Sequence, residues 1–124
     1  MKFISIYATP AHSLILVEDI LGGNPPSSLS STVASTDSCV AVVCKPETDG
    51  LTHIKLSHNY NLNMLDAPAF NDLLQIPSRR LAVHTIDGKS LLETTVSSNV
   101  IRLRVWINDA SEPDEITLGI EDIF

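Results

Sequence analysis

Two cysteines and four histidines are the residues here that can ligate a metal or serve a nucleophile. Four of them form the run C-x4-C-x8-H-x4-H, at Cys39, Cys44, His53 and His58. The order is that of a Cys2His2 zinc site, with a shorter middle spacer than such sites use. Four ligands must converge tetrahedrally on one ion, so the cysteines need a turn between them. Val40-Ala41-Val42-Val43 separates them instead, the least turn-like tetrapeptide in the chain. In a strand, residues five apart point to opposite faces and lie roughly 16 Å apart. That geometry stands against a shared ion and against a disulfide. Free, buried thiols are expected, as in a reducing compartment.

A histidine site drawn from His12, His53, His58 and His84 meets a similar objection. No H-x-H places two imidazoles on one strand face, and a catalytic metal wants three convergent ligands. His84 falls opposite the core face of its expected strand and reads as a surface residue. Serines are plentiful, but no G-x-S-x-G nucleophile elbow occurs. Neither cysteine has a base beside it in sequence, so any Cys–His pair depends on folding. The sequence assigns no catalytic residue, no metal ligand and no cofactor.

Two groups of residues suit binding better than catalysis. Asp109, Glu112, Asp114, Glu115, Glu121 and Asp122 crowd the C-terminal segment, with no Lys, Arg or His after Arg104. D-A-S-E-P-D-E lacks the glycine and ligand alternation of a calcium loop. Its plain reading is a solvated acidic edge. Its functional reading is a patch that docks on a basic partner. Arg102, Arg104 and Trp106 share one strand face, and these residue types are favoured in binding hot spots. The plain alternative packs Trp106 beneath a loop or short helix and pairs the arginines with Glu93 or the C-terminal acids. The candidate binding surface is therefore Arg102, Arg104, Trp106, Asp109, Glu112, Asp114 and Glu115.

The elements that would carry these residues are short and extended. Period-2 patterning or β-branched runs predict strands at 2–7, 12–19, 39–45, 51–57, 80–85, 90–96, 100–109 and 115–120. Residues 100–107 give the sharpest alternation, with Ile101, Leu103, Val105 and Ile107 against Val100, Arg102, Arg104 and Trp106. Asp87-Gly88 and Ser97-Ser98-Asn99 are turn signals, so 80–107 reads as two hairpins in series. Residues 39–45 and 51–57 read as another hairpin across PETDG. Asp66, Pro68 and the spacing of Leu65, Ala69 and Leu73 predict one short helix around 66–75. The Gly/Pro/Ser-rich segment 21–37 reads as a surface loop. The expected fold is all-β: an antiparallel β-sandwich or small barrel of about eight strands, in one domain spanning 1–124.

Composition narrows the function classes. Fifteen acidic residues against eight Lys and Arg give a net charge of −7, which disfavours nucleic acid and anionic membrane surfaces as partners. No stretch approaches a membrane span or a signal peptide, so the expected compartment is the cytoplasm. Only 19% of residues are charged, which suggests apolar surface covered by a partner or a second copy.

RLAVHTIDGKSLLETTVSSNVIRLRVWIND resembles the closing strands of the competence protein J family, with Trp106 at the end of a strand as there. FISIYATPAHSLILVED resembles that family's first two strands. The resemblance covers both ends of the chain. It implies a β-fold binding protein that inhibits a DNA-degrading nuclease rather than an enzyme. The reading taken from sequence is thus a small non-enzymatic protein-binding module, an inhibitor of a basic partner such as a nuclease. The alternatives are a small barrel enzyme or ligand-binding protein with a His-based metal site, and a subunit of a homo-oligomer.

Overall fold

The computed structural model describes residues 3–29, 31–58 and 67–123. Ten strands run through them: β1 (Ile4–Ala8), β2 (Leu14–Asp19), β3 (Val33–Ser35), β4 (Cys39–Val43), β5 (Thr52–Ser57), β6 (Phe70–Gln75), β7 (Arg80–Thr85), β8 (Ser90–Thr95), β9 (Val100–Ile107) and β10 (Glu115–Asp122). They form two five-stranded sheets. The first has the order β1-β5-β10-β9-β6 and the second β3-β4-β2-β7-β8. β5 and β10 pair in parallel; the other pairings are antiparallel. The fold is an all-β sandwich.

The core lies between the sheets and follows the alternation in the sequence. Ile101, Leu103 and Val105 of β9 meet Ile116, Leu118 and Ile120 of β10 and Ile54 and Leu56 of β5 on one side. Ile15, Val17, Val40, Val42, Leu81 and Val83 supply the other. Fully buried aliphatic side chains of this kind contribute about 1.5–3 kcal/mol each.

Three expectations need correction. Residues 70–75 are strand β6, not helix; Pro68 and Ala69 are not helical either, and Asp66 lies outside the described residues. The helical spacing there is matched by a strand whose inward positions are Phe70, Asp72 and Leu74, opposite Val105, Leu103 and Ile101. Segment 21–37 is not loop throughout, because Val33–Ser35 pairs with β4. Two of the three expected hairpins are crossings between sheets. β7 and β8 do form a hairpin, with Gly88 at φ +90° in the turn, a backbone conformation glycine adopts freely. β8 and β9 lie in different sheets, as do β4 and β5. The hairpin that β9 does make is with β10.

One buried group is poorly served. Thr52 is fully buried on the inner face of β5, and among the described residues its hydroxyl finds no hydrogen-bond partner. Its polar neighbour is the Cys44 thiol, a weak partner. An orphaned buried hydroxyl costs about 1–3 kcal/mol. Thr52→Val, which keeps the shape, is expected to raise the unfolding free energy by up to about 1 kcal/mol. Urea unfolding would show it; a loss of stability would mean that the hydroxyl is well bonded.

Candidate functional site

Loops from several strands meet at one end of the sandwich and make it acidic. The β9–β10 connection is shaped by its own side chains. Asp109 Oδ1 accepts hydrogen bonds from the Ser111 and Glu112 amides, both at 2.9 Å, and from the Ser111 hydroxyl at 3.0 Å. Asn108 Oδ1 accepts from the Asp114 and Glu115 amides, each at 3.1 Å, and Asn108 Nδ2 donates to Asp114 at 2.6 Å. Asp and Asn favour such turns because their short side chains reach nearby amides. Donors from Glu112 and Ser111 hold the Asp109 carboxyl below the usual carboxylate range. Asn108, and then Lys45, do the same for Asp114. Both carboxylates therefore keep their charge to lower pH than an ordinary aspartate does.

The loop is tied to the β4–β5 connection. The Lys45 amide donates to Pro113 O at 2.9 Å, and the His53 amide to Asp114 O at 2.8 Å. Lys45 Nζ lies 3.4 Å from Asp114, and Lys55 Nζ 2.9 Å from Glu115. Exposed Glu47 and Asp49 sit in a single 3-10 turn of that same connection. Asp109, Glu112, Asp114 and Glu115 thus share one end with two acids that sequence reasoning did not connect to them. Their link is tertiary and leaves no spacing to read.

The other candidates lie on the outer face of the first sheet. Cross-strand register sets Arg102 opposite Glu121, Arg104 opposite Gly119 and Trp106 opposite Thr117, with Glu115 next along β10 on that face. The seven candidates form a strip that runs from the arginines to the acidic loop. Trp106 is only 7% exposed, so its indole offers no bare surface. Arg102 Nη1 donates to Asn71 Oδ1 at 3.1 Å. The expected partner Glu93 is elsewhere, in the second sheet, where it pairs with Arg80 at 3.1 Å.

The histidines do not converge. His53 stacks on Tyr7, ring centroids 4.1 Å apart and planes 9° from parallel. His58 Nε2 lies 2.8 Å from the Thr94 hydroxyl. His12 is exposed, at φ +58°. Among the described residues no three His, Cys, Asp or Glu side chains gather as metal ligands. Cys39 and Cys44 are free and buried on opposite faces of the second sheet, Cys44 within the core and Cys39 against Leu16 and Ala41.

His84 is the histidine misread from sequence. Its side chain is 12% exposed, and Nδ1 lies 2.7 Å from Glu18 Oε2. Glu18 Oε1 accepts the Gly23 amide at 3.0 Å. Cys39 adjoins the pair: burial, then the Glu18 charge, pushes its thiol up to about 12. Burial alone pushes Cys44 up to about 11, against a small opposing effect from Thr52. These protonated thiols are poor nucleophiles.

No protein-family model matches the sequence, and a search of the curated proteins finds no match. The three-dimensional comparison does find likeness. The crystal structure of ComJ, inhibitor of the DNA degrading activity of NucA, from Bacillus subtilis, superposes with a TM-score of 0.65, covering 99% of this chain and 96% of ComJ at 10% identity. The chain has the fold of ComJ. A protein described as crocagin biosynthetic gene J is also similar, with a TM-score of 0.62 and 17% identity over 99% of this chain and 98% of the other. The likeness to ComJ expected at the two ends extends over the whole chain. Among the described residues, no helix is long and apolar enough to cross a membrane.

Proposed function

We propose that this chain is a non-enzymatic protein-binding module that docks on a basic protein through its acidic end and inhibits it, a nuclease being the partner class. The observation that carries the reading is the clustering of Asp109, Glu112, Asp114, Glu115, Glu47 and Asp49 on two mutually bonded connections. Preformed acidic loops present charge without an ordering cost at the moment of binding. They also steer a cationic surface toward contact. The likeness to ComJ, itself an inhibitor of NucA's DNA-degrading activity, supports the same partner class. Two buried free thiols suit a cytoplasmic setting.

Capture of partners on the tagged chain from its native cells tests the proposal. A basic nuclease is expected, with its DNA degradation suppressed on binding. Reversing Glu47, Asp49 and Glu112 to Lys is expected to slow association roughly 10–100-fold at low salt. Asp109 and Asp114 are left in place because their side chains hold the loop. Recovery of the chain alone at every salt concentration, or an association rate indifferent to both salt and the reversals, would sink the idea.

A further inference from the structure

β1 is an edge strand of the first sheet, and β8 is an edge strand of the second. The end of β1 faces the β7–β8 turn across a cleft of about 370 Å³. Ile6, Tyr7, Ala11, Leu51 and Leu91 make its lining largely apolar, and Thr85, Asp87 and Lys89 form the far wall. The polar groups of that wall serve their own turn. The Thr85 hydroxyl donates to Asp87 and accepts the Lys89 amide at 3.0 Å. The charge of Lys89 offsets that of Asp87. The cleft therefore offers apolar contact rather than polar groups aimed inward. Of the eight large apolar side chains exposed among the described residues, three stand here: Tyr7 at 63%, Leu51 at 56% and Ile86, within the turn itself, at 45%. Exposed apolar surface gathered in one place marks an interaction site.

The cleft is continuous with the acidic end. Ala11 lies in the 3-10 turn Ala11–Ser13, which packs against the turn holding Glu47 and Asp49. Leu51 follows that acidic turn by two residues. Tyr7 stacks on His53, whose amide donates to Asp114 O in the β9–β10 loop. Lys45 and Lys55 are held by Asp114 and Glu115. Glu47 and Asp49, which make no ion pair among the described residues, therefore set the charge beside the cleft. We propose that this cleft receives one apolar side chain of the basic partner, carried between lysine or arginine residues. The inference rests on the acidic end being the docking surface and supplies the anchor within it. Charge complementarity selects the occupant: basic flanks meet Glu47 and Asp49 while the apolar residue enters beside Leu51, and acidic flanks would be repelled. An apolar anchor with charges around it is the usual layout of a binding hot spot.

Two peptides serve as probes, acetyl-Lys-Arg-Leu-Arg-Lys-amide and the same peptide with serine at its centre. Each is titrated into the isotope-labelled full chain and followed by NMR shifts. The leucine peptide is expected to bind about five- to tenfold more tightly, the effect of partly burying one leucine. Its shifts are expected to gather at Leu51, Ala11 and Leu91, and both peptides are expected to weaken as salt rises. Leu51→Ser, at an exposed position outside the strands, is expected to abolish the preference and leave the serine peptide's affinity unchanged. Leu73→Ser, on the opposite edge of the first sheet, is expected to change neither. Equal affinities with the salt dependence intact overturn the anchor alone. So does a preference that survives Leu51→Ser, or one whose shifts gather elsewhere. Affinities indifferent to salt, or no binding of either peptide, overturn the acidic docking surface and the anchor with it.

Discussion

Leu118→Ala is expected to lower the unfolding free energy by about 2–5 kcal/mol, enough to consume a large share of the stability of a domain this size. Leu118 is fully buried on β10, the middle strand of the first sheet. It stands between Leu56 on one side and Val105 on the other, both of them buried. Truncation removes the transfer energy of the side chain and leaves a cavity with neighbours on every side that cannot collapse into it. Leu73→Ala is the control. Leu73 is 44% exposed on edge strand β6, and its loss is expected to stay within about 0.5 kcal/mol. Urea unfolding followed by Trp106 fluorescence measures both, with the denaturant slope unchanged if only the native state is affected. Equal costs for the two variants would mean that the inner face of β10 has been assigned wrongly.

The alternation that picks out Leu118 is also what made most of the fold legible. A period-2 pattern states which face of a strand is buried, and for β7 and β9 the core faces read from sequence are the observed ones. The pattern does not state which strand lies alongside. Ser97-Ser98-Asn99 can close a hairpin or carry the chain to the opposite sheet, and nothing local separates the two. β6 escaped because it is an edge strand: exposed Asp72 interrupts its inward row, and the remaining apolar spacing imitates a helix. β3 escaped because Val33-Ala34-Ser35 is short and set among serines. The acidic residues were legible as a run, but their meeting with Glu47 and Asp49 depends on the Lys45 amide and Pro113 carbonyl coming together.

The Glu18–His84 pair was missed for a reason that sequence did display. β2 and β4 are apolar on both faces: Leu14, Leu16, Cys39 and Ala41 cluster outside while Ile15, Val17, Val40 and Val42 cluster inside. A sheet with two apolar faces needs a second cover. Glu18 stands in that outer row, so a carboxylate there had to be partnered. The expected cover is the 21–37 segment, whose Gly23 amide donates to Glu18 Oε1 at 3.0 Å; it reads as free loop only if the outer row is taken for a solvent face. Asn24 donates to Ser38 Oγ at 2.9 Å, and Thr36 Oγ1 bonds Asn24 O.

Gly23→Ala is expected to release that cover. A β-carbon at position 23 would sit 2.2 Å from the Ser38 carbonyl oxygen and 3.0 Å from its carbon. Both are backbone atoms, so no side chain can swing aside, and the loop itself must lift. Lifting breaks the Gly23 amide's bond to Glu18 and leaves a buried carboxylate with one partner fewer. The expected cost is about 2–4 kcal/mol, in the range of a lost charged hydrogen bond plus backbone displacement. Glu18→Ala is expected to cost a similar amount by a different route, since it strands His84 and the Gly23 amide but adds no bulk. Glu18→Gln, which keeps the size and one acceptor, is expected to cost less. Thiol labelling under native conditions distinguishes cover from core. In the wild type both cysteines are expected to resist a disulfide reagent, through burial and their raised pKa. In Gly23→Ala only Cys39, on the face beneath the loop, becomes reactive, while Cys44 in the core stays protected until global unfolding. Labelling of both thiols at one rate would show that the sandwich itself had opened. Protection of Cys39 at wild-type stability would show that segment 21–37 is not the cover of the second sheet.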